Sequence, residues 1–266
     1  MEIHIVADAE AGAQVVADTF ARTLQEAGPS GAVLGLATGS SPVPTYTELI
    51  RRHREEGLSF ADSRAFLLDE YVGLPAGHDQ SYHRFIRENF TEQIDIDDAA
   101  VVSPNGAAAD PIAEAASYDR RIAEAGGVDL QILGIGSNGH IAFNEPGSSL
   151  NSRTRVVGLT RSTITDNSRY FDSPVDVPVR ALSQGLGTIL EARRIVLTAT
   201  GASKAAAVAQ LIEGAISSRW PATVLQLHPD VVVVVDEAAA AELQLADDYR
   251  YARRLEIENP LDVTQV

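Results

Sequence analysis

Short runs of aliphatic residues recur along this chain between longer stretches of helical periodicity, and that alternation limits the fold more than any other feature. The runs are EIHIVA, AVLGLAT, RAFLLD, DLQILGIG, RVVGLT, RIVLTATG and DVVVVVD. Runs this short and this apolar suit strands covered on both faces, so the expected fold is α/β, a mostly parallel sheet with helices on either side. Between them, AEAGAQVVADTFARTLQEAG carries apolar residues at spacings of three and four and stops at Gly28-Pro29. PTYTELIRRHREE and DPIAEAASYDRRIAEAGG read as helices in the same way. With no internal repeat and no Pro/Ser-rich linker, residues 1–266 are expected to form a single domain. The stretch 160–185, rich in Ser, Pro and Asp, interrupts the alternation.

Composition removes several classes of function. A net charge of -16 and a pI near 4.7 set the surface against nucleic acid and anionic membranes, which call for basic patches. Without cysteine there are no disulfides, thiolate metal sites or cysteine nucleophiles. The start, MEIHIVADAE, lacks the basic and apolar regions of a signal peptide, and VVVVV at 231–235 is far too short to span a bilayer. A soluble cytoplasmic protein with neither nucleic acid nor membrane as partner is expected.

In such a sheet, ligands sit beyond the carboxyl ends of the strands, and four strand ends carry chemistry. One is GIGSNGHIAFNEPGSSL, where Gly134, Gly136 and Gly139 spell the G-x-G-x-x-G of dinucleotide-binding loops. That motif should open a helix and be followed by an acid about 20 residues on. Here Pro146 intervenes and the region near 159 reads LTRST, so the glycines are read as a tight turn bringing backbone close to a small ligand. Asn138, His140, Asn144 and Glu145 then suit proton transfer: an imidazole titrating near neutrality, a carboxylate to support it and an amide to orient it. A metal at His140 and Glu145 would lack a third ligand nearby in sequence.

In FLLDEYVGL, Asp69 and Glu70 follow buried residues; they form either a solvated turn or helix cap, or a carboxylate at a pocket floor whose pKa rises by desolvation. GLATGSSP offers Thr38, Gly39, Ser40 and Ser41 before a helix, as a phosphate cradle or as plain capping. Finally, Lys204 is the one lysine among 21 basic residues and opens a helix, where the dipole disfavours a cation unless it serves an anion.

Taken together, TGSSP, LDEYVGL, SYHRFIRENF, GIGSNGHIAFNEPGSSL, NSRYF, ASK and LQLHP resemble the glucosamine-6-phosphate deaminase family in order and spacing along nearly the whole chain. The resemblance implies a three-layer α/β/α sandwich with a Rossmann-like sheet, of the sugar-phosphate isomerase type. It also implies conversion of glucosamine 6-phosphate and water to fructose 6-phosphate and ammonium, with no cofactor and no metal. By position, Asp69 matches the base that moves the C2 proton, and His140 the group that opens the sugar ring, supported by Glu145. Thr38, Gly39, Ser40, Ser41, Arg169 and Lys204 fall at the phosphate site, and 160–185, which contains Arg169, is expected to be a lid. Asn138 departs from the many members that carry Asp there, which weakens charge support for the ring.

Regulated hexameric members of the family bind N-acetylglucosamine 6-phosphate between subunits. Ser148, Arg155 and Tyr251 match that site, but Val157 and Gly158 replace its lysine and threonine, so little activation is expected. A homo-oligomer is expected, a hexamer being one form. Three rivals are a 6-phosphogluconolactonase-like hydrolase and an aldose-ketose isomerase that leaves the amine alone, against both of which GHIAFNEP speaks, and a non-catalytic sugar-phosphate sensor. The sensor reading calls for a basic helix-turn-helix ahead of the first strand, which here starts at residue 2.

Overall fold

The structure is a computed structural model that describes residues 1–168, 171 and 173–259. Its central sheet has seven parallel strands in the order β1 (Glu2–Val6), β10 (Val231–Asp236), β9 (Arg194–Ala199), β6 (Leu130–Leu133), β2 (Val33–Leu36), β3 (Arg64–Leu67) and β5 (Val101–Val102). The inner strands β2 and β6 are buried at every residue, as their largely apolar sequences require, with Gln131 the polar exception in β6. Helices α1 (Ala9–Ala27) and α2 (Val43–Glu56) pack together on one face, and for this strand order the right-handed crossover rule puts α4 (Pro111–Glu124) and α7 (Ala205–Glu213) on the other.

The helix boundaries follow from local chemistry. The Asp8 side chain caps α1 by accepting from the Ala11 N–H, and Gly28 ends it in a positive-φ conformation. Asp110 caps α4 in the same manner, accepting from Ile112 and Ala113. Helices α1, α2 and α4 match the periodic stretches of the sequence.

The strand RVVGLT is a correction to the expected single sheet. It forms β7 (Arg155–Gly158) in a second, antiparallel sheet of order β4 (Asp69–Tyr71), β8 (Arg180–Ser183), β7. Its residues are only partly buried, whereas a strand inside the parallel sheet must be apolar on both faces. Within the stretch 160–185, Ala181, Leu182 and Ser183 lie buried in the central strand of this sheet.

The main sheet is left at Leu68, whose N–H still bonds to Leu36 O, before β4 turns away to pair with β8. The Leu67 carbonyl freed there accepts from the Tyr118 hydroxyl at 2.7 Å and from Gln184 Nε2 at 3.1 Å. This departure carries Asp69 over the end of the sheet.

Candidate active site

Strand order creates the site. From β2 the chain proceeds to β3 on one side, while β6 proceeds to β9 on the other, so the β2 and β6 ends diverge around a crevice. A pocket of about 430 Å³ occupies it, within the usual range for small-molecule sites. All four strand ends singled out by sequence reach it: Thr38, Gly39, Ser40 and Ser41 after β2, Asp69 on β4, Asn138 and His140 after β6, and Lys204 after β9.

The β2 loop does not cap its helix by side chain. Pro42 occupies the N-cap of α2 without a side-chain bond, and Ser40 and Ser41, just before it, line the pocket at the helix N-terminus. Across from it, Lys204 sits at the N-cap of α7, again without a side-chain cap. The arrangement supplies hydroxyls, backbone donors and one cation around a common space, which is what a phosphate group requires.

The glycines after β6 serve the histidine. A Cβ at Gly136 would lie 2.3 Å from His140 Cε1, so only glycine lets the imidazole fold over this backbone. Gly139 combines φ +82° with the close approach of Trp220. The turn closes on itself, Gly136 N–H to His140 O at 2.9 Å and His140 N–H to Asn138 Oδ1 at 3.2 Å, and no helix opens at these glycines. The dinucleotide geometry is therefore missing.

Behind His140 stands Glu145, buried in the chain's own structure. Its Oε2 accepts from Asn138 Nδ2 at 2.8 Å and lies 3.5 Å from His140 Nδ1, which has no hydrogen-bond partner among the described residues. Its Oε1 accepts from the Thr160 hydroxyl at 3.1 Å and from the Thr163 hydroxyl, both at the start of α5 (Arg161–Asn167). Burial raises the Glu145 pKa, but the contacts from His140, Thr163 and Asn138 outweigh it and hold the carboxyl at about 2.

The adjacent acids at 69 and 70 take both roles that sequence left open. Strand alternation sends their side chains to opposite faces of β4. Glu70 accepts from the backbone N–H groups of Tyr71, Tyr82 and His83 at 2.9, 3.0 and 3.0 Å, fastening the start of α3 (Tyr82–Asn89). Asp69 instead lines the pocket, where burial and the Glu70 charge push its carboxyl up to about 8.

Several pocket residues escaped the sequence reading. Tyr71, Tyr82, Phe143 and Phe171 pack as one aromatic wall, with Tyr71 at 4.8 Å from Tyr82 and 5.8 Å from each phenylalanine, ring centre to ring centre. Asn167 Nδ2 donates to Tyr71 Oη at 2.8 Å. Only the polar threonines of RSTIT, placed where an amphipathic helix would bury apolar groups, hinted at the Glu145 contacts. Asn144 is a brace: Nδ2 donates to Ile141 O at 3.1 Å and Gln184 O at 2.8 Å.

The residues matched to a regulatory site divide. Arg155 Nη2 donates to Ser148 Oγ at 3.2 Å and Nη1 to Asn144 Oδ1 at 2.9 Å. Val157 packs against the cluster of Tyr71, Phe143 and Ala181, and Gly158 is exposed at the end of β7. Tyr251 lies on α8 (Ala246–Glu258), which packs on β1, and takes no part in the Ser148 and Arg155 contacts among the described residues. Arg169 lies outside the described residues.

Residues 7–234 match the family of glucosamine-6-phosphate isomerases and 6-phosphogluconolactonases. A glucosamine-6-phosphate deaminase of Rhodococcus jostii (strain RHA1) is 62% identical over 221 residues, 83% of this chain and 85% of that protein. Among solved structures, a monomeric glucosamine-6-phosphate deaminase superposes with a TM-score of 0.88 at 45% identity, covering 91% of this chain and 100% of its own. The 6-phosphogluconolactonase of Trypanosoma brucei, at 22% identity and a TM-score of 0.72 over 91% of this chain and 98% of that one, shares the fold.

Proposed function

The chain belongs to the glucosamine-6-phosphate isomerase and 6-phosphogluconolactonase family, and we propose that it is the deaminase, an enzyme converting glucosamine 6-phosphate and water to fructose 6-phosphate and ammonium. The observation that carries this reading is Asp69: a buried carboxyl with a raised pKa, sharing one pocket with His140 and an anion cradle. Moving a proton between carbons needs a base of that strength. The substrate's ammonium, on the carbon that loses the proton, both attracts the Asp69 carboxylate and acidifies the C–H bond.

In this reading His140 hands a proton to the ring oxygen, and the Glu145 carboxylate 3.5 Å away tightens onto the imidazole as charge develops. Asn138 orients the carboxylate without adding charge. Asp69 then carries the proton from C2 to C1, and water hydrolyses the imine, which makes the last step a hydrolysis. Thr38, Gly39, Ser40, Ser41 and Lys204 hold the phosphate, with Arg169 joining from a lid within 160–185 that closes on the bound anion.

Such a reaction fits the breakdown of N-acetylglucosamine after deacetylation, in the cytoplasm. Among the described residues no helix is long and apolar enough to cross a membrane. The superposing deaminase is monomeric, which supports an activity that needs no second subunit. The test is ammonium release from glucosamine 6-phosphate by the purified protein. Stoichiometric ammonium and fructose 6-phosphate are expected; tight binding without release would turn the reading toward a sensor, and hydrolysis of 6-phosphogluconolactone toward a lactonase.

A further inference from the structure

The Glu145 carboxylate has two oxygens with different neighbours. Oε2 faces Asn138 and His140, while Oε1 faces only hydroxyls of α5 among the described residues, from Thr160 at its N-cap and Thr163 one turn in. Rotation about the last bond of a glutamate is soft, so something must fix the plane of this carboxylate for Oε2 to stay on the imidazole. The loop backbone fixes where Glu145 starts, through Ser148 N–H to Glu145 O at 3.0 Å, and leaves the carboxylate plane to its side-chain donors. Thr163 is buried, and a β-branched hydroxyl residue on the buried side of a helix gains little from helix propensity or packing.

The same helix touches the opposite wall of the pocket. Asn167, at its last turn, donates to Tyr71 Oη, two residues along the strand from Asp69. Seating of α5 therefore brings two hydroxyls to the carboxylate behind His140 and one amide to the strand that carries Asp69.

We propose that Thr163 is a positioning residue: by holding Oε1 of Glu145 it keeps Oε2 on the imidazole, so that ring opening by His140 depends on α5 being seated. This rests on the deaminase reading above. Thr160 adds a second, weaker hold on the same oxygen, and unseating the helix withdraws both hydroxyls together.

The experiment compares Thr163→Val, which keeps shape and removes the hydroxyl, with Thr163→Ser, which keeps the hydroxyl, in wild-type and His140→Gln backgrounds. Thr163→Val is expected to lower kcat about tenfold with KM within about twofold, Thr163→Ser to stay within about threefold of wild type, and Thr163→Val to add less than about twofold once His140 is gone. An equal fall in both backgrounds, a serine variant as poor as the valine, or a change in KM alone overturns the proposal. Thr160→Val is the second variant, expected to show the same pattern at smaller amplitude should Thr163→Val melt early. A readout free of turnover is the 15N shift of the His140 ring nitrogens in the ligand-free protein, expected to move in Thr163→Val and not in Thr163→Ser. Unmoved shifts in both defeat the positioning role, whereas moved shifts in a protein that releases no ammonium defeat only the assigned reaction.

Discussion

Asp69 on the second sheet and Glu145 on the loop after β6 are buried almost equally, at 6% and 7% exposure, yet their acidities move in opposite directions. At Asp69 burial and the neighbouring Glu70 charge both act upward, to about 8. At Glu145 burial also acts upward, but His140, the Thr163 hydroxyl and the Asn138 amide bring the carboxyl to about 2. Burial alone therefore does not decide what a carboxyl can do; the donors around it do. One wall of the pocket is suited to taking a proton and the other to staying charged beside a cation.

The largest expected effect breaks the first half of that contrast. Asp69→Asn should lower kcat by a factor on the order of 10³ or more and abolish C2 proton exchange with solvent, while substrate still binds. In the unmodified enzyme kcat/KM should climb as pH rises through about 8, since the base works ionised. Proton exchange at C2 that persists in Asp69→Asn would give the base to another group.

The second half is broken by Glu145→Gln, which keeps the shape and removes the charge. A fall in kcat of about a hundredfold is expected, since the imidazolium loses its counter-charge. Turnover close to wild type would mean that orientation by hydrogen bonds suffices at His140.

A smaller effect sharpens the comparison through stability. Because the folded-state pKa of Asp69 lies above its unfolded value of 3.8, the native protein binds the extra proton between them. The associated stability is full below about 4 and is lost as pH rises through about 8. Asp69→Asn, which cannot ionise, should gain on wild type in Tm by at least roughly 2 °C at pH 9 relative to pH 6. Thermal melts of both proteins at the two pH values check this, and a constant difference would show that Asp69 is not held protonated.

The smallest effect concerns a partly buried charge. The Arg155 guanidinium is pushed down by burial and rests on neutral oxygens of Asn144 and Ser148. Beside it, Val157 is committed to the Tyr71 cluster and Gly158 carries no side chain, so the second cation and hydroxyl of an activator site are missing. N-acetylglucosamine 6-phosphate should change the substrate titration by less than about twofold, and the curve should be hyperbolic without it. A sigmoidal curve made hyperbolic by the compound would restore the site.

Much of this was legible in the sequence because it is encoded locally. The apolar runs marked nearly every strand of the parallel sheet, Gly28 marked a helix end, and Gly136 and Gly139 marked a turn that needs glycine. The strand-end rule then picked out Asp69, His140 and Lys204 as neighbours. Less legible were the residues whose meaning depends on a distant partner. β8, the short β5 and helix α5 carry weak periodic signals, and Tyr71 and Thr163 read as ordinary side chains until their contacts are seen.

The sequence by itself determined that this chain makes an α/β sheet with polar residues gathered at strand ends, because burial on both faces demands apolar runs and ligands require gaps in them. Only the tertiary structure decided which end residues meet. The order placing β6 beside β2 sets the crevice, and the departure of the chain at Leu68 turns Asp69 into it and Glu70 away. The turn that sets His140 against Glu145, with the Thr163 hydroxyl of α5, gives one of two almost equally buried carboxylates its charge. The first two rest on pairings between segments tens of residues apart, and a local pattern of side chains carries no record of the distance that folding will close.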